Sequence, residues 1–455
     1  MMIPKSSRLS AADSRVARSL AGALPQPFWT SQPGAPEPAS ALTAAVTADL
    51  AVVGGGFSGL WTALLARQRD PSSDVVLLEA STAGWGASGR NGGFCSSSLT
   101  HGIGNGLARF PDEMPLLERL GAQNLAEIAE TVAKHGINCD FSATGELTVA
   151  TEPWQLEDLH DEAEAARRLG HDVTELDAGA LRRELDSPAF LGGAWYRDSC
   201  AMADPARLAR GLRRVCLDAG VRIYEHTPVR AIGEDRRGGP GGRAGLVLTT
   251  PYGTVRAARV ALATGGYPPL LRRIRNYVVP VYDYALMTEP LSRSRLASIG
   301  WRNRQGAADR GNQFHYFRLT SDNRILWGGY DAVYYNGGKI TAERDQRPAT
   351  FARLAAHFFG TFPQLDGISF EYAWGGVIDT CSRFCAFYGT ARRGRLAYAC
   401  GHTGLGVGAS RFGANVMLDL LAGRRTERTG LALVRSRPVP FPPEPIRSAA
   451  IQLTR

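Results

Sequence analysis

The run Ala48-Asp49-Leu50-Ala51-Val52-Val53 passes without a break into Gly54-Gly55-Gly56-Phe57-Ser58-Gly59, and no other stretch constrains the fold as tightly. Its first six residues suit a buried parallel strand. The glycines fit G-x-G-x-x-G: Gly54 permits a tight turn, Gly56 lets the backbone approach a pyrophosphate, and Gly59 allows a helix to pack closely on the strand. Leu60, Ala63, Leu64 and Arg67 then share one helical face until Pro71-Ser72-Ser73 breaks the pattern. Asp74 to Glu79 returns as a second strand, which completes a βαβ unit of about 30 residues. The start of its helix offers free N–H groups and a partial positive charge to a phosphate. Glu79 lies twenty residues after Gly59, where a carboxylate accepts hydrogen bonds from a ribose and repels a 2′-phosphate. The unit predicts dinucleotide contacts at Gly54, Gly56, Phe57, Ser58, Gly59, Glu79 and Ala80.

A second small-residue cluster, Gly84-Trp85-Gly86-Ala87-Ser88-Gly89-Arg90-Asn91-Gly92-Gly93, follows at once. A nicotinamide enzyme has no need of it there, whereas a flavin dinucleotide needs close backbone approach over a longer distance. Further contacts are therefore expected at Gly86, Ala87, Ser88, Gly89, Asn91, Gly92 and Gly93. Ala263-Thr264-Gly265-Gly266 after a strand supplies a third contact. The turn from Gly401 to Gly408 sets another helix start against the flavin end, at Gly404, Leu405, Gly406 and Val407, where it can stabilise negative charge. A nicotinamide dehydrogenase remains the rival reading.

The chain of 455 residues has 44% hydrophobic and 21% charged residues, which marks a globular protein with ample core. No apolar run approaches the ~18 residues of a membrane span, so no stable membrane insertion is expected. The net charge of +9 comes from arginine, since lysine occurs only at Lys5, Lys134 and Lys339. The arginines are scattered, so no nucleic-acid partner is expected, although an RNA-linked flavoprotein stays as an alternative. Seven cysteines without ligand spacing predict neither a metal site nor a disulfide framework. Without an export signal in the first twenty residues, the expected compartment is the cytoplasm.

Residues 1–47 read as an irregular leader and arm, anchored through Pro25, Pro27 and Phe28-Trp29, with order beginning at Ala48. Strands are expected at 146–150, 221–224, 246–250, 255–263 and 395–400. Helices are expected at about 153–169, at 205–219 with Asp204 as N-cap, and after the closing glycine turn to about Leu421. A glycine-rich loop spans 236–245, and the tail from Pro438 should wrap the surface.

Taken together, VVGGGFSGL at 52–60, GWGASGRNGG at 84–93, ADPARLARGL at 203–212, TPVRAI at 227–232, LATGGY at 262–267, RLTSDNRILWGGYD at 318–331, WGG at 374–376 and GHTGLGVG at 401–408 resemble the FAD-dependent oxidoreductases of the D-amino acid oxidase type. Within them the chain is most similar to the γ-glutamylputrescine oxidase-like branch. The resemblance implies an α/β fold, α+β overall. Its discontinuous Rossmann-like FAD domain (48–110, 196–268 and 371–430) carries a mixed-sheet substrate domain (111–195 and 269–370), with 431–455 as tail. It implies adenine contact through the Val229 backbone, and oxidation of a C–N bond of an amine by hydride transfer to flavin N5. The resulting imine hydrolyses, and O2 or another acceptor takes the electrons. D-amino acid or N-methyl amino acid oxidation is the alternative.

Several positions depart from the family pattern. Glycine-type oxidases clamp the substrate carboxylate with arginines where this chain has Ile378 and Thr403. Sarcosine oxidases tether the flavin to a cysteine near Gly376, and none is present there, so non-covalent FAD is expected. A lysine held to assist oxygen aligns with Trp327, which predicts slow reaction of reduced flavin with oxygen. Tyr282, Asp283, Tyr284, His315, Tyr316, Asp379 and His402 remain near the expected site. Of these, His402, Asp379, Tyr284 and Tyr316 are the candidates for chemistry, with Asp379 facing a cationic substrate group.

Overall fold

A computed structural model describes residues 11–235, 245–267 and 270–453. The glycine-rich loop expected at 236–245 lies outside the described residues save for Gly245. Two large sheets face each other. The first has eight strands, with a path running from Phe387–Ala391 through Leu396–Cys400, Thr254–Leu262, Ala45–Val53 and Val75–Leu78 to Arg222–Tyr224. The strand Ala45–Val53 is parallel to both neighbours, and its last four residues are buried, as an apolar run in the centre of a parallel sheet requires. Helix Phe57–Arg69 buries nine residues beside helices Pro205–Asp218 and Gly406–Leu421. Asp204 caps Pro205–Asp218 by accepting the Arg207 N–H, a contact worth about 1 kcal/mol.

The nine-stranded second sheet is mostly antiparallel and runs from Val333–Tyr334 to Val173–Asp177. Alternation divides its faces. Leu147 and Val149 join Phe317, Trp327 and the helix residues Phe351, Phe358 and Phe362 in one core. Glu146 and Thr148, on the other face, look toward the first sheet across a cavity.

Three expectations need correction. Order does not begin at Ala48: helix Ala11–Leu20 packs on helix Pro348–Thr361, Phe28 and Trp29 are buried, and the first strand starts at Ala45. A boundary at 371 cuts strand Phe370–Thr380, which pairs along its whole length with Val279–Thr288 in the second sheet. Helix Met114–Lys134, expected in the substrate domain, buries Leu117, Leu120, Ile128 and Val132 in the core behind the first sheet. Leu431, Leu433 and Val434, which precede the tail from Pro438, enter that same core.

Candidate active site between the two sheets

The cavity between the sheets has a volume of about 1320 Å³, more than the ~300–1,000 Å³ of an ordinary small-molecule pocket. One wall is the glycine turn. Gly54 has φ +108°, and a Cβ there would stand 2.4 Å from the Ala263 carbonyl oxygen. Ser88 Oγ accepts the Phe57 N–H at 2.9 Å, which joins the two small-residue clusters. Glu79 Oε2 accepts the Gly55 N–H at 2.5 Å and Oε1 the Ser81 N–H at 2.8 Å. Burial raises its carboxyl above the ordinary range, against the opposing pull of those N–H groups. Ala80, Val229, Ala263, Thr264 and Gly265 continue the wall, and Gly404, Leu405, Gly406 and Val407 close it. A Cβ on Gly265, Gly404 or Gly406 would meet no atom within 4 Å, so bare backbone faces the cavity.

Gly86, Ala87, Ser88, Asn91 and Gly92 also line this space. Gly59, Gly89 and Gly93 do not, and for all three this corrects an expected cofactor contact into a packing role. A Cβ would stand 1.8 Å from Gly54 O at Gly59, 2.4 Å from Gly84 O at Gly89 and 2.1 Å from Ala203 O at Gly93. A glycine-lined helix start, a fixed carboxylate and a strip of bare backbone fit the pyrophosphate, ribose and ring system of FAD.

The facing wall belongs to the second sheet. Tyr316 donates its hydroxyl to Asp283 Oδ2 at 2.6 Å, and a Cβ on Gly92 would lie 2.8 Å from the Tyr316 ring. Burial pushes the Asp283 carboxyl up to about 6 and lifts the Tyr316 phenol well above its ordinary value. Asp379 Oδ2 accepts the Gly401 N–H at 2.7 Å and lies 3.2 Å from His402 Nδ1. His402 Nε2 is buried without a partner, 3.7 Å from where a Cβ on Gly413 would stand. His402 lines the cavity and holds Asp379 through Nδ1, while its Nε2 is shut off from the cavity space. Tyr284 turns its hydroxyl to Tyr335 and to the Arg344 carbonyl, at 2.9 and 2.8 Å.

His315 lies in a buried chain with Asp309 and His357 and does not line the cavity. Trp327 is also away from it, 1% exposed and stacked on His315 at 4.7 Å. The indole thus does not stand where a lysine beneath the flavin would, and the expectation of slow oxygen reaction loses that support. The alternation of strand Ile325–Gly329 turns Gly328 to the cavity side, against Tyr316.

A family model described as FAD dependent oxidoreductase, DAO, matches residues 49–420. The chain belongs to this family. It is 32% identical over 400 residues to the gamma-glutamylputrescine oxidoreductase of Escherichia coli K12, covering 85% of this chain and 86% of that one. A probable oxidoreductase OrdL of Haemophilus influenzae is 28% identical over 391 residues, 84% of each chain. Among solved structures, glycine oxidase from Geobacillus kaustophilus superposes with a TM-score of 0.69 at 22% identity, over 86% of this chain and 99% of its own. As a DAO-family member the chain is an FAD-dependent oxidoreductase.

The charges around a DAO-family cofactor decide what can lie beside it. Among the described residues, Glu79, Glu118, Glu146, Glu162, Asp283 and Asp379 line the cavity, with Arg90 as its arginine and no lysine. Arg90 is taken: it pairs with Asp345 and lies 4.7 Å over the Trp85 ring. Arg318 and Arg383 are spent on backbone carbonyls. Arg318 donates to Ala203 O at 2.7 Å and Arg383 to Leu433 O at 2.7 Å. Asp283 and Glu146 are absent from the expected contributors to chemistry or binding. Their only sequence signal is a carboxylate within the two-residue alternation of a strand.

No described helix is long and apolar enough to cross a membrane.

Proposed function

We propose that the chain oxidises the C–N bond of an amine whose reacting carbon carries no free carboxylate. The observation that carries this reading is the acidic lining, with its one arginine already paired. Burying an α-carboxylate among carboxylates, without a free guanidinium, would cost several kcal/mol (~2–7 even for a neutral polar group). Ile378 and Thr403 both line the cavity, and neither can pair a charge; the Thr403 hydroxyl is turned to the Gly401 carbonyl at 3.0 Å. A cationic amine gains from the same walls. The substrate of the Escherichia coli relative, by its name, is an amine of this kind.

When bound, FAD supplies the hydride acceptor. The rest falls to the protein. A substrate ammonium must lose a proton before its lone pair can assist hydride departure, and Asp283, held by the Tyr316 hydroxyl, is a base of suitable strength. Asp379, fixed by Gly401 and His402, attracts the cation. Dioxygen or another acceptor would take up the two electrons removed from the amine. Seven free, buried cysteines support a reducing, cytoplasmic setting. FAD is held without a covalent link, since Gly376 occupies the tether position and burial keeps the Cys381 thiol protonated. Acid precipitation should leave the yellow colour in the supernatant; colour in the pellet would contradict this.

The test of the substrate class is anaerobic bleaching of the flavin. Primary amines such as γ-glutamylputrescine should bleach it faster than glycine, sarcosine or D-alanine. Faster bleaching by the amino acids would overturn the reading.

A further inference from the structure

Beyond Tyr316 the cavity continues to an acidic end. Tyr316 pairs with Ala308, and Ala308 with Thr148, so Glu146 lies two strands over and two residues along. Strand spacing and rise put that at about 12 Å. Around it, Glu162 pairs with Arg310, and Glu118 with His171 at 3.0 Å, which Asp198 also approaches at 3.3 Å. Both of these lining carboxylates are thus compensated. Tyr196, opposite Glu146 on the next strand, is neutral, because burial lifts its phenol far above neutrality.

Glu146 alone has no partner among the described residues; it is half-buried and lines the cavity. Burial and the nearby Glu162 push its carboxyl up to about 7. A purely structural position would be served by a neutral side chain, whereas an unpaired carboxyl facing the cavity marks a place kept for a cation.

We propose that Glu146 forms a second cation subsite, which holds a distal ammonium of the substrate while the reacting amine lies near Tyr316 and Asp283. The inference rests on the amine reading and narrows it to amines with two cationic nitrogens. At roughly 1.2 Å per extended bond, about ten bonds separate the two nitrogens.

The test compares 1,8-diaminooctane with octylamine, which differ only in the distal ammonium. Anaerobic stopped-flow reduction of the holoenzyme gives Kd and the limiting rate for each. The diamine should bind the wild type at least about tenfold more tightly. Glu146→Gln should weaken the diamine by about 10–100-fold, the scale of a hydrogen bond to a charged group. Octylamine and both limiting rates should stay within about twofold, and Glu146→Asp should restore part of the diamine affinity.

A second readout does not use turnover. A carboxyl raised from 4.5 to about 7 on folding destabilises the native state as pH rises through that window. Glu146→Gln should therefore raise the thermal midpoint at about pH 8 and leave it unchanged at about pH 4.5. Equal affinity of the wild type for the two amines, or an equal loss of both in Glu146→Gln, would overturn the subsite while leaving the amine reading intact. Reduction by α-amino acids and by neither amine would remove both.

Discussion

Glu79 shows how a single side chain links the sequence motif to the cofactor. Its carboxylate is fixed by two backbone N–H groups, so it is ordered before any ribose would reach it. Glu79→Ala should weaken FAD binding by roughly 1.5–3 kcal/mol, read as FAD released on dialysis; unchanged occupancy would contradict the assignment. Asp283 sits deeper. With its carboxyl near 6, it is protonated and inactive as a base below that value and ionised above it. The reduction rate at low amine concentration should climb between about pH 5 and pH 7. Asp283→Asn should remove that limb and slow reduction by about 100-fold or more. A limb that survives in the variant would move the base elsewhere. Glu79 was legible because motif, spacing and strand end all lie within 32 residues of chain. The Asp283–Tyr316 contact was not, because it joins strands 33 residues apart through a register that only the folded sheet fixes.

At the level of elements, the N-terminal arm does more than lead into the first strand. Leu24 bridges to the strand Phe370–Thr380, accepting the Ala373 N–H at 3.0 Å and donating to Glu371 O at 2.8 Å. Trp29, 2% exposed, donates its indole N–H to the Asn91 carbonyl at 2.8 Å. Trp374 does the same to the Arg90 carbonyl at 2.9 Å. Two indoles thus pin the second glycine cluster, which has few side chains of its own to hold it. Trp29→Ala should cost about 3–5 kcal/mol as a buried-aromatic truncation, and it should loosen FAD as well as lower the thermal midpoint. Loss of stability with full FAD affinity would show that the arm holds the fold and not the cradle. Sequence pattern revealed the βαβ unit because periodicity there is strong and local. It missed the arm because helix Ala11–Leu20, with Val16 and Leu20 as its large apolar side chains, is only 10 residues long, too short a window to read. It also misplaced the boundary at 371, since a strand carries no mark of which sheet it joins.

On the scale of the whole molecule, two sheets with opposite duties enclose one space. The parallel sheet brings glycines and helix starts to the cofactor, and the antiparallel sheet presents carboxylates to whatever lies over it. The fold and the dependence on FAD could be read from the sequence because glycine spacing encodes them directly. The acidic character of the cavity could not, because its carboxylates come from strands and helices far apart in the chain. That character is the central claim, and a matched pair tests it most directly. Norvaline is butylamine with one added α-carboxylate on its only reacting carbon, so the ratio of their flavin reduction rates isolates that group. A buried carboxylate facing like charge without a cation should cost several kcal/mol, more than about 100-fold. Butylamine should therefore reduce the flavin at least that much more efficiently than either enantiomer of norvaline at equal low concentration. Equal reduction by the two, or a preference for norvaline, would contradict the claim.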